Sequence, residues 1–331
     1  MSFTKEAGKS GELLHTIVIC TAGRPEVLKR TLELLPGKLT LPGRTELLIV
    51  NNGRREETPL IRHHVRTAGI PCRVTVAHEP KPGLSSARNK ALQLAKGGII
   101  TMLDDDASPV DTAWQERLLR VFREQPEVGL CGGPSHLVVP EGTKPQPWWR
   151  SPLTDELMSC FPGPESGPCG IDMIIGVNAS YRRTAVQGLQ FDEQLGWNDA
   201  ASSPLAGEET LFNKRLLQNG WKAWFEREAP VLHRIGRSRY QAGWPLRRSY
   251  IGGRTAAMFD MITSEGAQGS PFKQQPVSDM MKCLVRMTVR ALQGKLPQAF
   301  SHACRFAASW GYLSFRREWS RSKTMTPIES R

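Results

Sequence analysis

Between His15 and Leu103 the chain alternates short β-branched apolar runs with segments whose apolar residues recur at helical spacing, and this alternation constrains the fold more than any other feature. HTIVIC (15–20) reads as a buried strand that ends at TAGRP, a Gly/Pro turn signal. From Glu26 to Leu35, Val27, Leu28, Leu32 and Leu35 fall at helical spacings, and Pro36-Gly37 stops the helix. ELLIV (46–50), CRVTVAH (72–78) and GIITML (98–103) read as further strands, and Ser85 to Ala95 as a helix. The pattern predicts a mostly parallel central sheet with helices on both faces. Beyond it, IIGVNASY (174–181) is expected as a strand and Glu208 to Asn219 as a helix closed by Gly220. Residues 130–172 are rich in Pro and Gly (GGP, PQPWW, FPGPESGPCG), which predicts long loops beside a site. No internal repeat or low-complexity segment is visible, so a solenoid is not expected.

With 39% apolar and 23% charged residues, the 331-residue chain is globular in composition and long enough for one large α/β core with a tail or for two domains. Its net charge of +12 favours phosphate-bearing partners: nucleotides, nucleic acid or an anionic membrane. Seven cysteines without a CxxC pair suggest neither a disulfide framework nor a cysteine zinc site, and so a reducing cytoplasm. The polar leader MSFTKEAGKSGELLH lacks an apolar stretch of signal-peptide length, and no run of about 18 apolar residues occurs. The chain is therefore expected to be neither secreted nor membrane-spanning.

The loudest chemical signal is LDDDASP (103–109), three carboxylates directly after an apolar strand. Clustered acids repel one another unless a cation or donors neutralise them, and a divalent metal is their natural partner. Open α/β sheets bind ligands at the carboxyl ends of their strands, where Asp104, Asp105 and Asp106 would stand. The bland account is a solvated turn with an Asp cap for the helix holding Trp114 and Leu118. A second acid pair, Glu208-Glu209, follows Ala206-Gly207 at a helix start, where it would at least satisfy the helix dipole. His233, in PVLHRIG, is an imidazole that a fold could bring to the same ion.

In their order and spacing, VICTAGRPEVLKRTL, LLIVNNG, GLSSARNKAL, GIITMLDDDASP, GVNASYRR, FDEQLG, GEETLFNKRLLQNG and VLHRIG resemble family 2 glycosyltransferases of the GT-A fold, over residues 15–255. The resemblance implies a GT-A-like α/β domain with a Rossmann-like nucleotide-binding half, and inverting transfer of a hexose-type sugar from a nucleotide-sugar donor with Mg²⁺ or Mn²⁺. Carried over by position, Asp104 to Asp106 looks like the DXD motif, with Asp106 the direct metal ligand, Asp104 nearer the ribose and Asp105 beside the donor. His233 resembles a further metal ligand. Glu209 takes the place of the catalytic base, with Glu208 supporting it. Thr21, Gly23 and Arg24 fall where the first loop meets the nucleotide, and Arg88 and Asn89 line the same pocket. The family's VDNGS usually has an Asp that contacts the base, whereas this chain has Asn51-Asn52-Gly53; an amide still accepts and donates, but without charge.

The chemistry agrees with these roles. Displacing a nucleoside diphosphate builds negative charge on the leaving phosphate, which a cation and nearby Arg or Lys stabilise. A single in-line displacement needs one carboxylate to take the acceptor's proton, and inversion follows. Trp148 and Trp149 are acceptor-side candidates that could stack on sugar faces, or ordinary loop anchors. A sugar nucleotidyltransferase is the rival enzyme, but TAGRP is too sparse for its Gly-rich phosphate loop. A basic polyanion-binding protein with incidental acids is the rival outside enzymes.

The expected organisation is a leader (1–14), the transferase domain (15–255) and a basic, helical C-terminal appendage (256–331). Arg234, Arg237, Arg239, Arg247, Arg248 and Arg254 lie in a stretch without Asp or Glu, suited to phosphate or lipid head groups. Ser278-Asp279 can cap a helix carrying Lys282, Arg286 and Arg290 on one stripe beside Met281, Leu284, Val285 and Leu292. Phe306, Trp310 and Leu313 follow at helical spacing, then Arg316 and Arg317. These helices either lie on an anionic membrane surface or pack on the catalytic domain. No basic-aromatic signature points to nucleic acid. The expected partners are a nucleotide-sugar donor and a glycan or lipid-linked acceptor, as in polysaccharide or glycoconjugate synthesis, and the expected location is cytoplasmic and peripheral to the inner face of a membrane.

Overall fold

The computed structural model describes residues 14–144, 146–149, 151–196, 205–264 and 276–321. Apart from Leu14, the expected leader lies outside them. In chain order the elements are β1 (His15–Thr21), α1 (Pro25–Leu34), β2 (Thr45–Asn51), α2 (Thr58–Ala68), β3 (Arg73–His78), α3 (Leu84–Leu94), β4 (Ile99–Asp104), β5 (Ala107–Pro109), α4 (Trp114–Glu124), β6 (Val128–Gly132), β7 (Ser135–Val138), α5 (Pro152–Leu157), β8 (Gly167–Pro168), β9 (Asn178–Arg182), α6 (Arg183–Val186), α7 (Glu208–Gln218), β10 (Lys222–Phe225), β11 (Val231–Arg234), α8 (Gly243–Ser264), α9 (Pro276–Leu292) and α10 (Leu296–Arg321). They form two compact units: Met1–Val138 with Ser159–Ala201 and Glu208–Arg234, and Val139–Met158 with Ser202–Gly207 and Ile235–Arg331.

The first unit is built on an eight-stranded sheet in the order β3-β2-β1-β4-β9-β6-β10-β8. The strands β1 to β4 run parallel, as do β6 and β10, while β9 and β8 are antiparallel to their neighbours. The apolar strands are uninterrupted because both faces are covered. Ile17, Ile19, Leu47, Ile49 and Leu103 pack with Leu28 and Leu32 of α1 and Trp114 and Leu118 of α4. Their alternates Val18, Leu48, Val50, Ile100 and Met102 pack with Ala87 and Ala91 of α3 and Phe212 and Leu216 of α7. The period of two divides each strand between two cores. Val27, expected on the apolar face of α1, is instead 37% exposed, whereas Leu28, Leu32 and Leu35 are fully buried.

Strand order reverses at β1, whose parallel partners β2 and β4 lie on opposite sides, so the carboxyl ends of these strands open the crevice where such sheets take ligands. The expected strand at 174–181 begins only at Asn178. Its pairing with β4 stops at Leu103↔Asn178, and residues Ile171–Met173 before it form a 3₁₀ turn closed by Ile174 N–H to Ile171 O. α7 ends as its sequence implies, with Gly220 at φ +90°. A second, three-stranded sheet, β5-β11-β7, pairs His233 of β11 with Ala107 of β5.

In the second unit α10 packs on α8 and α9. The α8–α10 crossing is close because it passes over glycines: a Cβ on Gly253 would lie 1.8 Å from Ala308 O, and one on Gly311 2.0 Å from Tyr250 O. Arg254, one of the arginines expected to meet phosphate, is buried and grips Glu318 through two bonds of 2.9 and 2.8 Å. α9 starts at Pro276, two residues before the expected Ser278 cap. Among the described residues no helix is long and apolar enough to cross a membrane.

Candidate functional site

The loop after β4 divides its three acids by direction. Asp105 turns inward and is 1% exposed. It accepts from Thr21 Oγ1 at 2.7 Å, is bridged by the Arg24 guanidinium, and its carbonyl accepts from Thr31 Oγ1 at 2.7 Å. Burial pushes its carboxyl up to about 7, opposed by Arg24 and reinforced by Asp106 and Asp104. Asp105 is thus an organiser of the loop, held by Thr21 and Arg24, both of which were expected at the nucleotide. Arg24 also donates to Asp106 Oδ2 at 3.1 Å, and its side chain remains 42% exposed.

Asp104, at the end of β4, and Asp106, two residues on, converge with His233: one ligand atom from each lies within 4.8 Å of the others. β11 delivers the imidazole by pairing with β5, and Arg234 fixes the turn, its N–H donating to Asp106 O at 2.8 Å. His233 is 1% exposed, and neither ring nitrogen makes a hydrogen bond. Its Nε2 stands 3.2 Å from Asp106 Oδ1 without hydrogen-bond geometry. A buried unpaired imidazole nitrogen costs about 1–3 kcal/mol, and a cation held by two carboxylates and that nitrogen removes the cost. These residues fit a divalent metal.

The second acid pair opens α7. Glu208 is buried, accepts from Arg88 Nη1 at 2.9 Å, and has Glu209 beside it, 3.8 Å from the same nitrogen and a quarter exposed. Burial, and then the charge of Glu209, push the Glu208 carboxyl up to about 8 against the pull of Arg88. Burial would also strip the proton from Arg88, but Glu208, Glu209 and Asp104 outweigh it and hold that proton more firmly than usual. One guanidinium therefore couples the acid pair electrostatically to the metal-type cluster.

Several expected nucleotide contacts are occupied elsewhere. Asn51 donates to Arg54 O and Thr58 Oγ1 and accepts from Gly53 N–H, so its amide is spent on the turn. Asn52 likewise donates to Glu79 O and Lys81 O and accepts from Gly83 N–H. Asn89 exchanges bonds of 2.9 and 2.7 Å with the backbone of Phe191, stapling FDEQLG to α3. Gly23 has φ +64°, and the β2 loop approaches it so closely that a Cβ on Gly53 would stand 2.6 Å from Gly23 N. The expected acceptor-side Trp148 and Trp149 belong to the second unit. There Trp148 packs on Phe300, and the buried Trp149 meets Tyr240 edge-on, both at 4.5 Å between ring centroids.

Thr31 and Gly176 were not singled out in the sequence, and Arg234, expected at phosphate or lipid head groups, instead donates to Asp106 O and Ser108 Oγ. A Cβ on Gly176 would lie 2.8 Å from Arg88 Nη2 and 3.6 Å from Glu209 Cδ, so any larger residue there must shift the guanidinium that faces the acid pair. The glycine within GVNASYRR was the available signal.

A mostly parallel sheet with an acid-and-imidazole cluster at its switch point is the architecture of a GT-A transferase, and residues 16–189 match the sequence profile of glycosyl transferase family 2. The chain belongs to that family and is a glycosyltransferase. Family membership sets aside both the nucleotidyltransferase and the polyanion-binding alternatives. Relatives include the glucosyl-dolichyl phosphate glucuronosyltransferase of Haloferax volcanii, 24% identical over 274 residues that cover 80% of this chain and 82% of the relative. The succinoglycan biosynthesis protein ExoM of Rhizobium meliloti is 27% identical over 247 residues, 74% of each chain. The mannosyltransferase PcManGT from Pyrobaculum calidifontis, solved with GDP-Man and Mn²⁺, shares the fold with a TM-score of 0.59 at 14% identity, covering 93% of this chain and 88% of that one.

Proposed function

We propose that this glycosyltransferase is metal-dependent and inverting, and that it moves a sugar from a nucleotide-sugar donor to a hydroxyl of a glycan or lipid-linked acceptor. The observation that carries the reading is the convergence of Asp104, Asp106 and His233, coupled through Arg88 to the Glu208-Glu209 pair. Asp104, Asp106 and His233 would hold Mg²⁺ or Mn²⁺, which when bound offsets the charge gathering on the leaving diphosphate. Thr21 and Arg24 fix Asp105 so that its neighbours face the crevice, and the exposed part of Arg24 is available to the diphosphate.

Glu209, the more exposed of the acids, takes the proton of the acceptor hydroxyl as its oxygen attacks the anomeric carbon. The bond from that carbon to the phosphate oxygen breaks, and the nucleoside diphosphate leaves with the electron pair. Glu208 supports this by holding the proton that the two adjacent acids share, which leaves Glu209 ionised. Attack from the face opposite the leaving group inverts the centre.

The names of the relatives favour glycoconjugate or exopolysaccharide synthesis, and with a lipid-linked acceptor the enzyme works at the inner face of a membrane. A panel of nucleotide sugars screened by thermal stabilisation, with Mn²⁺ and with chelator, tests the donor and metal together. A ligand at a hundred times its Kd adds about 2.7 kcal/mol to stability. We expect one donor to raise the midpoint with Mn²⁺ and not with chelator. Equal stabilisation in chelator, or none by any donor, contradicts the reading.

A further inference from the structure

α9 turns an apolar stripe to solvent. Val277, Met281, Val285 and Leu292 are each 60% exposed or more, and Leu284 and Val289 44%. At 100° per residue they share one sector of the helix, roughly 140° wide, while Cys283 on the opposite side is buried where α9 packs on α10. Lys282 borders the stripe on one side, Arg286 lies about 40° further round, and Arg290 a further 40°, close to the buried face of Cys283. Among the described residues the only carboxylate paired with these cations is Asp279, 3.5 Å from Lys282.

Soluble helices rarely leave six large apolar side chains uncovered in one stripe. Basic residues at the border of such a stripe are the pattern of a helix that lies in a membrane interface. A second copy would bring a chain of net charge +12 against its like, whereas an anionic leaflet neutralises it. We propose that α9 lies in the interface of an anionic membrane leaflet, with Val277, Met281, Val285 and Leu292 entering the acyl boundary and Lys282 and Arg286, at the border of the stripe, reaching lipid phosphates. This rests on the peripheral location proposed above and names the surface that achieves it.

The test is co-sedimentation of the full chain with phosphatidylcholine vesicles, with and without a third of phosphatidylglycerol, across a salt series. The wild type should sediment with the anionic vesicles, far less with the neutral ones, and be released by salt. Each basic residue near such a surface is worth about fivefold in partition, so Lys282→Gln/Arg286→Gln should lose roughly twenty-five-fold. Met281→Gln/Val285→Gln/Leu292→Gln should lose at least about tenfold. Should either variant unfold, the single changes Val285→Gln and Arg286→Gln, each expected to lose about fivefold, decide instead. Wild-type binding by both variants would overturn the surface while leaving the location intact, and failure of the wild type to bind anionic vesicles would overturn both. A wild-type dimer that the apolar variant breaks, seen by sedimentation velocity, would also overturn the proposal by assigning the stripe to a second copy.

Discussion

Replacing Arg88 by Met removes the guanidinium that faces Glu208 in a site where both side chains are more than nine-tenths buried. Losing one partner of a buried pair costs about 3–5 kcal/mol when the other must stay charged. Glu208 has an escape, because its carboxyl is pushed up to about 8 by burial and by Glu209. Near pH 6 it is already protonated, so the loss reduces to a hydrogen bond and the contact of Arg88 with the Phe191 ring, about 2–3 kcal/mol. In the wild type this raised pKa means the folded state holds a proton that the unfolded chain releases above about 4.5. Stability from this group therefore falls as pH rises and levels off once pH passes about 8. Without Arg88 the carboxyl goes higher still, so the decline continues past pH 8. The gap between variant and wild type then widens by about 1.4 kcal/mol for each pH unit over which only the variant keeps the proton. At 2–4 °C per kcal/mol, melting midpoints should differ by roughly 4–12 °C at pH 6 and by several degrees more at pH 9. Scanning calorimetry of both proteins from pH 5.5 to 9.5 measures this. A gap that stays constant or narrows above pH 8 would refute the assignment of a proton-holding Glu208 balanced by Arg88.

Glu209→Gln should lower turnover by about 10²–10⁴ while leaving donor affinity unchanged, and Glu208→Gln should cost less, as steady-state kinetics will show; the reverse order would move the base by one residue. Gly176→Ala presses on Arg88 Nη2 and should lower kcat roughly tenfold with little change in donor KM, because it displaces the acid pair and leaves the metal cluster alone. Gly53→Ala drives a Cβ against Gly23 N and Glu57 Oε2, which should destabilise the protein by about 1–3 kcal/mol in calorimetry and weaken donor binding with it.

The βα alternation carried the parallel half of the sheet because strands covered on both faces announce themselves as unbroken apolar runs. The antiparallel insertion of β9 between β4 and β6 was not legible, since only long-range pairing decides where 178–182 docks. The acid run at the end of β4 pointed to the metal-type cluster, but the turn that follows the strand, which sets Asp105 against Thr21 while Asp104 and Asp106 meet His233, was not legible. What no local pattern encodes is which polar residues the loops consume for themselves. Asn51, Asn52 and Asn89 carry groups suited to a nucleotide, yet backbone groups of the loops around them take up their amides first. The pairing of Arg24 with Asp105, and of Arg88 with Glu208, joins residues far apart in sequence and emerges only when the strands are assembled.

The proposed hold of Asp104, Asp106 and His233 on the cation that the donor diphosphate needs is open to direct measurement. Titration with Mn²⁺ followed by electron paramagnetic resonance of the free ion, in the presence of UDP or GDP, tests it without relying on turnover. The wild type and Glu209→Gln should each take up a single ion, and Asp106→Ala and His233→Ala should leave it free at the same concentrations. Undiminished uptake by both of those variants would contradict the account.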